Sequence, residues 1–203
     1  MTGATAAAAV ALDRAWFDRP STDLALDLLG ARLVHAAPEG AVGGRIVEVE
    51  AYLGPEDLAA HSSRGPTARN AVMFGQPGHL YVYLVYGLHH CLNVVAGPGD
   101  KPEAVLIRAL ALDEGVDLAR ARRGASVPGR RLASGPGNVG QALGLDRARN
   151  GADLLESPVR IEPRDGSAPH ITRGPRIGVD YAGAWAARPL RFWITGDPHV
   201  SRP

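Results

Sequence analysis

The segment Arg45-Ile46-Val47-Glu48-Val49-Glu50-Ala51-Tyr52 alternates in character and reads as a β-strand. Side chains two apart share a face, so Val47, Val49 and Ala51 form one side and Glu48, Glu50 and Tyr52 the other. The apolar face must be covered by a core. The opposite face carries two carboxylates and a phenol to the end of the strand, just before the turn at Gly54-Pro55. That set suits an acid or base beside a flat ligand. The alternative is a solvated strand face with an incidental tyrosine.

A second constraint comes from Leu80-Tyr81-Val82-Tyr83-Leu84-Val85-Tyr86, whose β-branched and aromatic content favours a strand. It passes through Gly87-Leu88-His89-His90 into the apolar run Cys91-Leu92-Asn93-Val94-Val95, the pattern of a β-hairpin. Tyr81 and Tyr83 then share a face, while Tyr86 takes the last strand position at the lip of the turn. A ring there is poorly placed for a core and well placed to wedge between stacked bases. The competing reading makes all three tyrosines packing residues, and it fits Tyr81 better than Tyr86.

At 203 residues and 45% hydrophobic, the chain can bury one good core as a single domain. A net charge of +1 does not by itself announce a nucleic-acid binder. Lys101 is the only lysine, so nearly all positive charge is arginine, although a biased genome composition accounts for this as well. Cys91 is the only cysteine, which excludes an intrachain disulfide, a cysteine-rich zinc site and the paired-cysteine zinc deaminases. His89-His90 invites a metal reading, but adjacent strand residues point to opposite faces, so no metal site is expected. Met1 to Val10 lacks a basic leader and reads as a disordered tail, with the domain spanning 11–203. No apolar run approaches the ~20 residues of a membrane span, so a cytoplasmic protein without a membrane partner is expected.

Along the chain, Ser21-Thr22-Asp23 opens a short helix that stops at Gly30, and Ala31–Ala36 and Gly44–Tyr52 read as strands. Pro55-Glu56-Asp57 starts a helical turn, and Arg69–Phe74 forms a short helix closed by Gly75. A strand over Ala104–Leu110 is followed by helices over Leu112–Arg123 and Val139–Leu143. Glu162–Pro169 and Arg173-Gly174-Pro175 read as turns, and Arg191–Thr195 as the closing strand. The sum is one mixed α/β (α+β) domain.

From about Ala25 to its end the sequence resembles the alkyladenine (3-methyladenine) DNA glycosylases, which excise damaged purines. The resemblance is carried by Val47 to Asp57 with Ala60-His61, by Arg69-Asn70 with Met73-Phe74, and by Gly78 to Tyr83 with Tyr86-Gly87 and Asn93. It continues through Val105 to Ala109, Ser134-Gly135-Pro136 with Gln141-Ala142-Leu143, Pro175 to Val179 with Ala182-Gly183, and Pro189 to Phe192.

The resemblance implies a single domain built on a curved, mainly antiparallel sheet with a protruding β-hairpin and short flanking helices. It implies a monomer acting on double-stranded DNA that contains damaged purines, with no cofactor. Glu50 matches the catalytic glutamate and Arg108 an arginine that holds the water or the adjacent phosphate. Tyr52 and His61 match the pair that sandwiches the extruded purine, Tyr83 closes the edge, and Asn93 crowds the exocyclic amine of normal guanine. Tyr86 matches the residue that fills the gap in the duplex. Glu48 is left as a partner of Glu50 or a solvated acid. Arg120, Arg122, Arg123, Arg130, Arg131, Arg173, Arg176 and Arg188 are candidate phosphate contacts.

Three positions depart from the family's pattern: His89 after the wedge hairpin, Asn138 where a lysine is common, and Ala184 where an acid is common. Two other readings compete. A binding-only damage sensor would leave Glu50 without a purpose. A carbohydrate hydrolase using Glu48 and Glu50 would have both acids on one side of its sugar, about 7 Å apart along one strand.

Overall fold

The alternating segment is the C-terminal part of the longest strand among the described residues. The computed structural model describes residues 12–98 and 101–202, so the expectation for the Met1 to Val10 tail lies outside the described residues. Strand β2 (Gly40–Tyr52) begins four residues before the predicted start at Gly44. Glycines weaken an isolated strand, but here β1 (Arg32–Ala37) pairs along one edge and β5 (Glu103–Glu114) along the other. A Cβ on Gly44 would lie 2.4 Å from the Ala111 carbonyl oxygen, so this close approach requires glycine.

β2 organises the rest. One edge stays with β5, while the other passes from β1, over Gly40–Arg45, to β8 (Arg191–Ile194), over Glu48–Glu50. The register against β5 shifts on both sides of Glu48, as expected of a bulged and bent strand. The main path of the sheet runs β3 (Leu80–Val85), β4 (His89–Ala96), β5, β2, β1, β6 (Val159–Glu162), and β7 (Ile171–Gly174) pairs with β8. All of these ladders are antiparallel. The α+β class is as the sequence implied, and the antiparallel sheet is as the resemblance implied.

The Val47, Val49 and Ala51 side of β2 is fully buried and belongs to the main core. Leu24 and Leu28 of α2 (Ser21–Leu28) and Val139 and Leu143 of α4 (Pro136–Leu143) are buried in the same core. The polar face of β2 is therefore left for the other side of the sheet.

Several boundaries move for identifiable reasons. Ser21 is the first helical residue and not the cap: Pro20 precedes it, and the carboxylate of Glu103 accepts the Ser21 N–H at 2.7 Å. That buried acid, 82 residues away, replaces the predicted side-chain cap. The helix predicted from Leu112 begins at Val116 as α3 (Val116–Arg123), because β5 continues to Glu114 opposite Gly43. Pro55–Asp57 forms turns with no helix, and the first short 3-10 turn comes at His61–Arg64. Arg69–Phe74 contracts to a 3-10 turn over Ala71–Phe74, closed at Gly75 as predicted. Arg14–Phe17 forms the one-turn helix α1. Strands β6 and β7 were not predicted, and Arg173 and Gly174, read as a turn, lie in β7. Four residues give few alternations to read, and neither β6 nor β7 carries an aromatic run like the Phe192-Trp193 that announced β8.

Candidate active site

Beyond the end of β2 the sheet opens a cavity of about 360 Å³, at the small end of ligand-binding clefts. Six of the seven predicted site residues line it: Tyr52, His61, Tyr83, Tyr86, Asn93 and Arg108. They come from β2, the turn after it, the β3–β4 hairpin and β5, four places brought together by antiparallel pairing. Glu50, the seventh, is fully buried and does not line the cavity.

The Glu50 carboxylate lies behind Tyr52 and is held on both oxygens. The Tyr52 hydroxyl donates to Oε2 at 2.9 Å, and the Ile177 N–H donates to Oε1 at 2.8 Å. The Arg108 guanidinium also approaches Oε1, at 3.2 Å. Burial pushes the Glu50 carboxyl above the usual carboxylate range, against the opposing pull of Arg108, the Ile177 N–H and the Tyr52 hydroxyl; the nearby Glu48 adds to the rise. Tyr52 is pushed well above the usual phenol range, first by burial and then by Glu50, so it remains a donor. This is an ionisable carboxyl kept in a dry site, with a charged partner that favours its ionised form.

Glu48 is neither solvated nor idle. Its buried carboxylate accepts from Arg108 Nε at 2.9 Å, Arg191 Nη1 at 3.1 Å and the Ser201 N–H at 2.7 Å. Arg108 thus bridges the two glutamates, which share one face of β2 as the alternation required. For Arg108, burial acts to lower its pKa, but the two carboxylates outweigh burial and the net shift is upward.

The aromatic walls are also tied down. His61 Nδ1 lies 2.9 Å from the Tyr81 hydroxyl, and its ring meets Tyr83 edge-on at 4.5 Å between centroids. Burial lowers the His61 pKa, and the nearby Arg69 charge lowers it further, so the ring is neutral at pH 7. Tyr81 is buried, as its packing reading expected, yet it also orients His61. Asn93 is buried and donates from Nδ2 to the Tyr81 carbonyl at 3.2 Å.

Tyr86 stands apart from these. β3 ends at Val85, so Tyr86 lies in the turn and not at the last strand position. It is 90% exposed. The Leu88 N–H bonds back to the Val85 carbonyl, and the two central residues, Tyr86 and Gly87, have φ of 52° and 69°. Positive φ at both centres is the pattern of a type I′ hairpin turn, where asparagine or glycine is the cheaper first residue. Tyr86 is the one positive-φ residue other than glycine among the described residues.

One expectation is overturned. Arg176 is buried and makes a two-pronged ion pair with Asp57, so it cannot be a phosphate contact. Arg120, Arg122 and Arg123 use part of their donor sets on the Val127, Ala142 and Leu132 carbonyls. Arg130 and Arg131 are exposed. Asn138 turns inward and donates to the Ser134 carbonyl at 2.6 Å. Among the described residues no group of three or more His, Cys, Asp or Glu is arranged to hold a metal ion, and no helix is long and apolar enough to cross a membrane.

Pattern reading missed Asp57, Arg176 and Arg191 as parts of this site. Asp57, Arg176 and Arg191 all lie within the motifs that carried the family resemblance, which was the available signal. Ile177 lies in the same motif as Arg176, but it contributes a backbone N–H, which no side-chain pattern identifies.

The sequence is also similar to known proteins. Residues 15–198 match the family described as methylpurine-DNA glycosylase (MPG). A protein of Methanocella arvoryzae whose name carries the words 3-methyladenine DNA glycosylase is 49% identical over 192 residues, spanning 94% of this chain and 96% of its own. A Streptomyces avermitilis protein with the same words in its name is 46% identical over 194 residues, covering 94% and 90% of the two chains. A third, from Corynebacterium glutamicum, is 48% identical over 185 residues, covering 91% and 94%. With nine-tenths of its length aligned at close to half identity, the chain belongs to the methylpurine-DNA glycosylase family and is a DNA glycosylase, an enzyme that hydrolyses the glycosidic bond of a base in DNA.

Proposed function

We propose that this enzyme rotates a damaged purine out of duplex DNA into the cavity beside Tyr52 and hydrolyses its bond to the sugar with Glu50 as general base. The observation that carries the reading is the dry Glu50 carboxylate, held by Arg108, Tyr52 and the Ile177 N–H directly behind the aromatic cavity. As the base departs, positive charge develops on the sugar; a carboxylate stabilises that charge and accepts a proton from the attacking water. Oε2 accepts only the Tyr52 hydroxyl among the contacts described above, which leaves a lone pair for that water.

Tyr52, His61 and Tyr83 present rings for the extruded purine, and Asn93 at the cavity wall discriminates against the exocyclic amine of guanine by an unfavourable contact. Tyr86, at the exposed hairpin tip, fills the place the base has left; its outward position and strained backbone support that role. All of these residues belong to one chain, so a monomer carries a complete site. The enzyme works wherever the cell keeps its DNA.

The reaction class is monofunctional. A glycosylase that also cuts the strand uses an amine to form a Schiff base with the sugar, and Lys101, the only lysine, is not at the cavity. Incubation with a duplex carrying one 7-methylguanine should release the free base and leave an intact strand with an abasic site. Borohydride added during turnover should trap no protein–DNA adduct. Retention of the base on tightly bound DNA would favour the sensor reading, and a trapped adduct would show lyase chemistry.

A further inference from the structure

We propose that the buried Asp57–Arg176 pair is the positioning unit of the site: it fixes the Tyr52 ring from behind and sets the charge preference of the bases stacked on it. The inference rests on the function proposed for Glu50 and Tyr52, and it adds a residue pair that makes no contact with the cavity.

Three parts of the site hang from this pair. Arg176 Nη2 donates to Asp57 Oδ1 at 2.8 Å, Nη1 donates to Oδ2, and both side chains are fully buried. Asp57 in turn accepts the Leu53 N–H at 3.1 Å and the Ala59 N–H at 3.0 Å, closing the loop between Tyr52 and His61. Arg176 Nη1 also donates to the Ala51 carbonyl at 2.9 Å, one residue before Tyr52. Arg176 immediately precedes Ile177, whose N–H holds Glu50. The strand end, the His61 loop and the Glu50 donor are therefore fixed to one another through a single guanidinium.

That guanidinium lies over the Tyr52 ring, with Cζ 4.7 Å from its centroid. Tyr52 lines the cavity and Arg176 does not, so the ring separates the charge from the bound base. Arg176 already occupies one π-face, and a cationic base on the other face meets a ring whose electron density is drawn away from it. Asp57 binds the guanidinium at its two Nη atoms only, while Nε is buried without a partner, so the charge over the ring is screened incompletely. The pair thus holds Tyr52 rigidly and lowers its preference for positively charged lesions relative to neutral ones.

The test compares the parent with Arg176→Lys and with the double variant Asp57→Asn/Arg176→Gln, which removes both charges while keeping hydrogen-bonding amides. Single-turnover release is measured for a cationic lesion, 7-methylguanine, and a neutral one, hypoxanthine, alongside the flip rate of a carbon-13-labelled Tyr52 ring by NMR. The double variant should flip the ring faster and lose rate on both lesions, roughly tenfold on hypoxanthine, the scale of a misplaced group. Its ratio of 7-methylguanine to hypoxanthine release should rise about threefold, the scale of one cation–π contact. Arg176→Lys, which keeps the charge without the fork, should lose rate but keep the parental ratio. A folded double variant with parental ring dynamics, rates and ratio would overturn the proposal. So would a proportional loss on both lesions with unchanged ring flipping, which marks a merely structural pair. A parent that releases neither base would instead defeat the proposed function, and the ring-flip comparison would still decide whether the pair positions Tyr52.

Discussion

Glu50→Gln should reduce single-turnover base release at least ~100-fold, the scale of a lost general base, while the protein still binds lesion-containing DNA. It should also melt no lower than the parent at pH 7. The sign follows from the raised carboxyl of Glu50 in the folded state. Below the unfolded pKa the group is protonated in both states and has no cost. As pH rises through the higher folded value, ionising the buried acid takes stability away. Glutamine removes that cost, its amide oxygen can still accept from Ile177, and Arg108 keeps Glu48 as a partner. A stable but inactive variant is the signature of stability given up for function. Parental release rates would remove Glu50 from the mechanism, and a large fall in melting temperature would make it a structural acid.

The second large effect is expected at Tyr86. Tyr86→Asn removes the exposed ring and puts at φ 52° a residue that tolerates the left-handed region. The hairpin should therefore be as stable as in the parent or more so. Base release from a lesion in a fully paired duplex should fall roughly 10- to 100-fold, because stacking on a base is worth ~1–3 kcal/mol and that support is lost while extrusion still has its full cost. A mispaired lesion is easier to extrude and should lose less. Equal loss on paired and mispaired DNA, together with a lower melting temperature, would make Tyr86 a packing residue.

How far the sequence carried this site depends on the range of each interaction. The alternation from Val47 to Tyr52 was enough to put Glu48, Glu50 and Tyr52 on one face, because strand periodicity is local. The hairpin is legible for the same reason, although its strand ends one residue before Tyr86, since the positive φ of Tyr86 has no local signature in a bulky side chain. Glu48 looked like a possible solvated acid because its partners Arg191 and Ser201 lie 143 and 153 residues away in the chain. Arg176 looked like one more surface arginine because Asp57, which buries it, is 119 residues distant. The helix cap at Ser21 failed in the same way, being supplied by Glu103 from β5. Short edge strands such as β6 and β7 exist through pairing with β1 and β8, which no four-residue pattern announces.

The most direct test of a buried Glu50 acting as general base is the pH dependence of single-turnover base release. A base works only when ionised, and burial holds this one above the ordinary carboxylate range of about 4.3. The parent should therefore lose activity as pH falls through a single acid limb lying above that range. In Arg108→Gln the limb should move higher, since the largest force opposing burial is gone. In Glu50→Gln the limb should vanish and leave a low, flat profile. An acid limb that persists unchanged in Glu50→Gln would assign the titrating base to another group and contradict the mechanism.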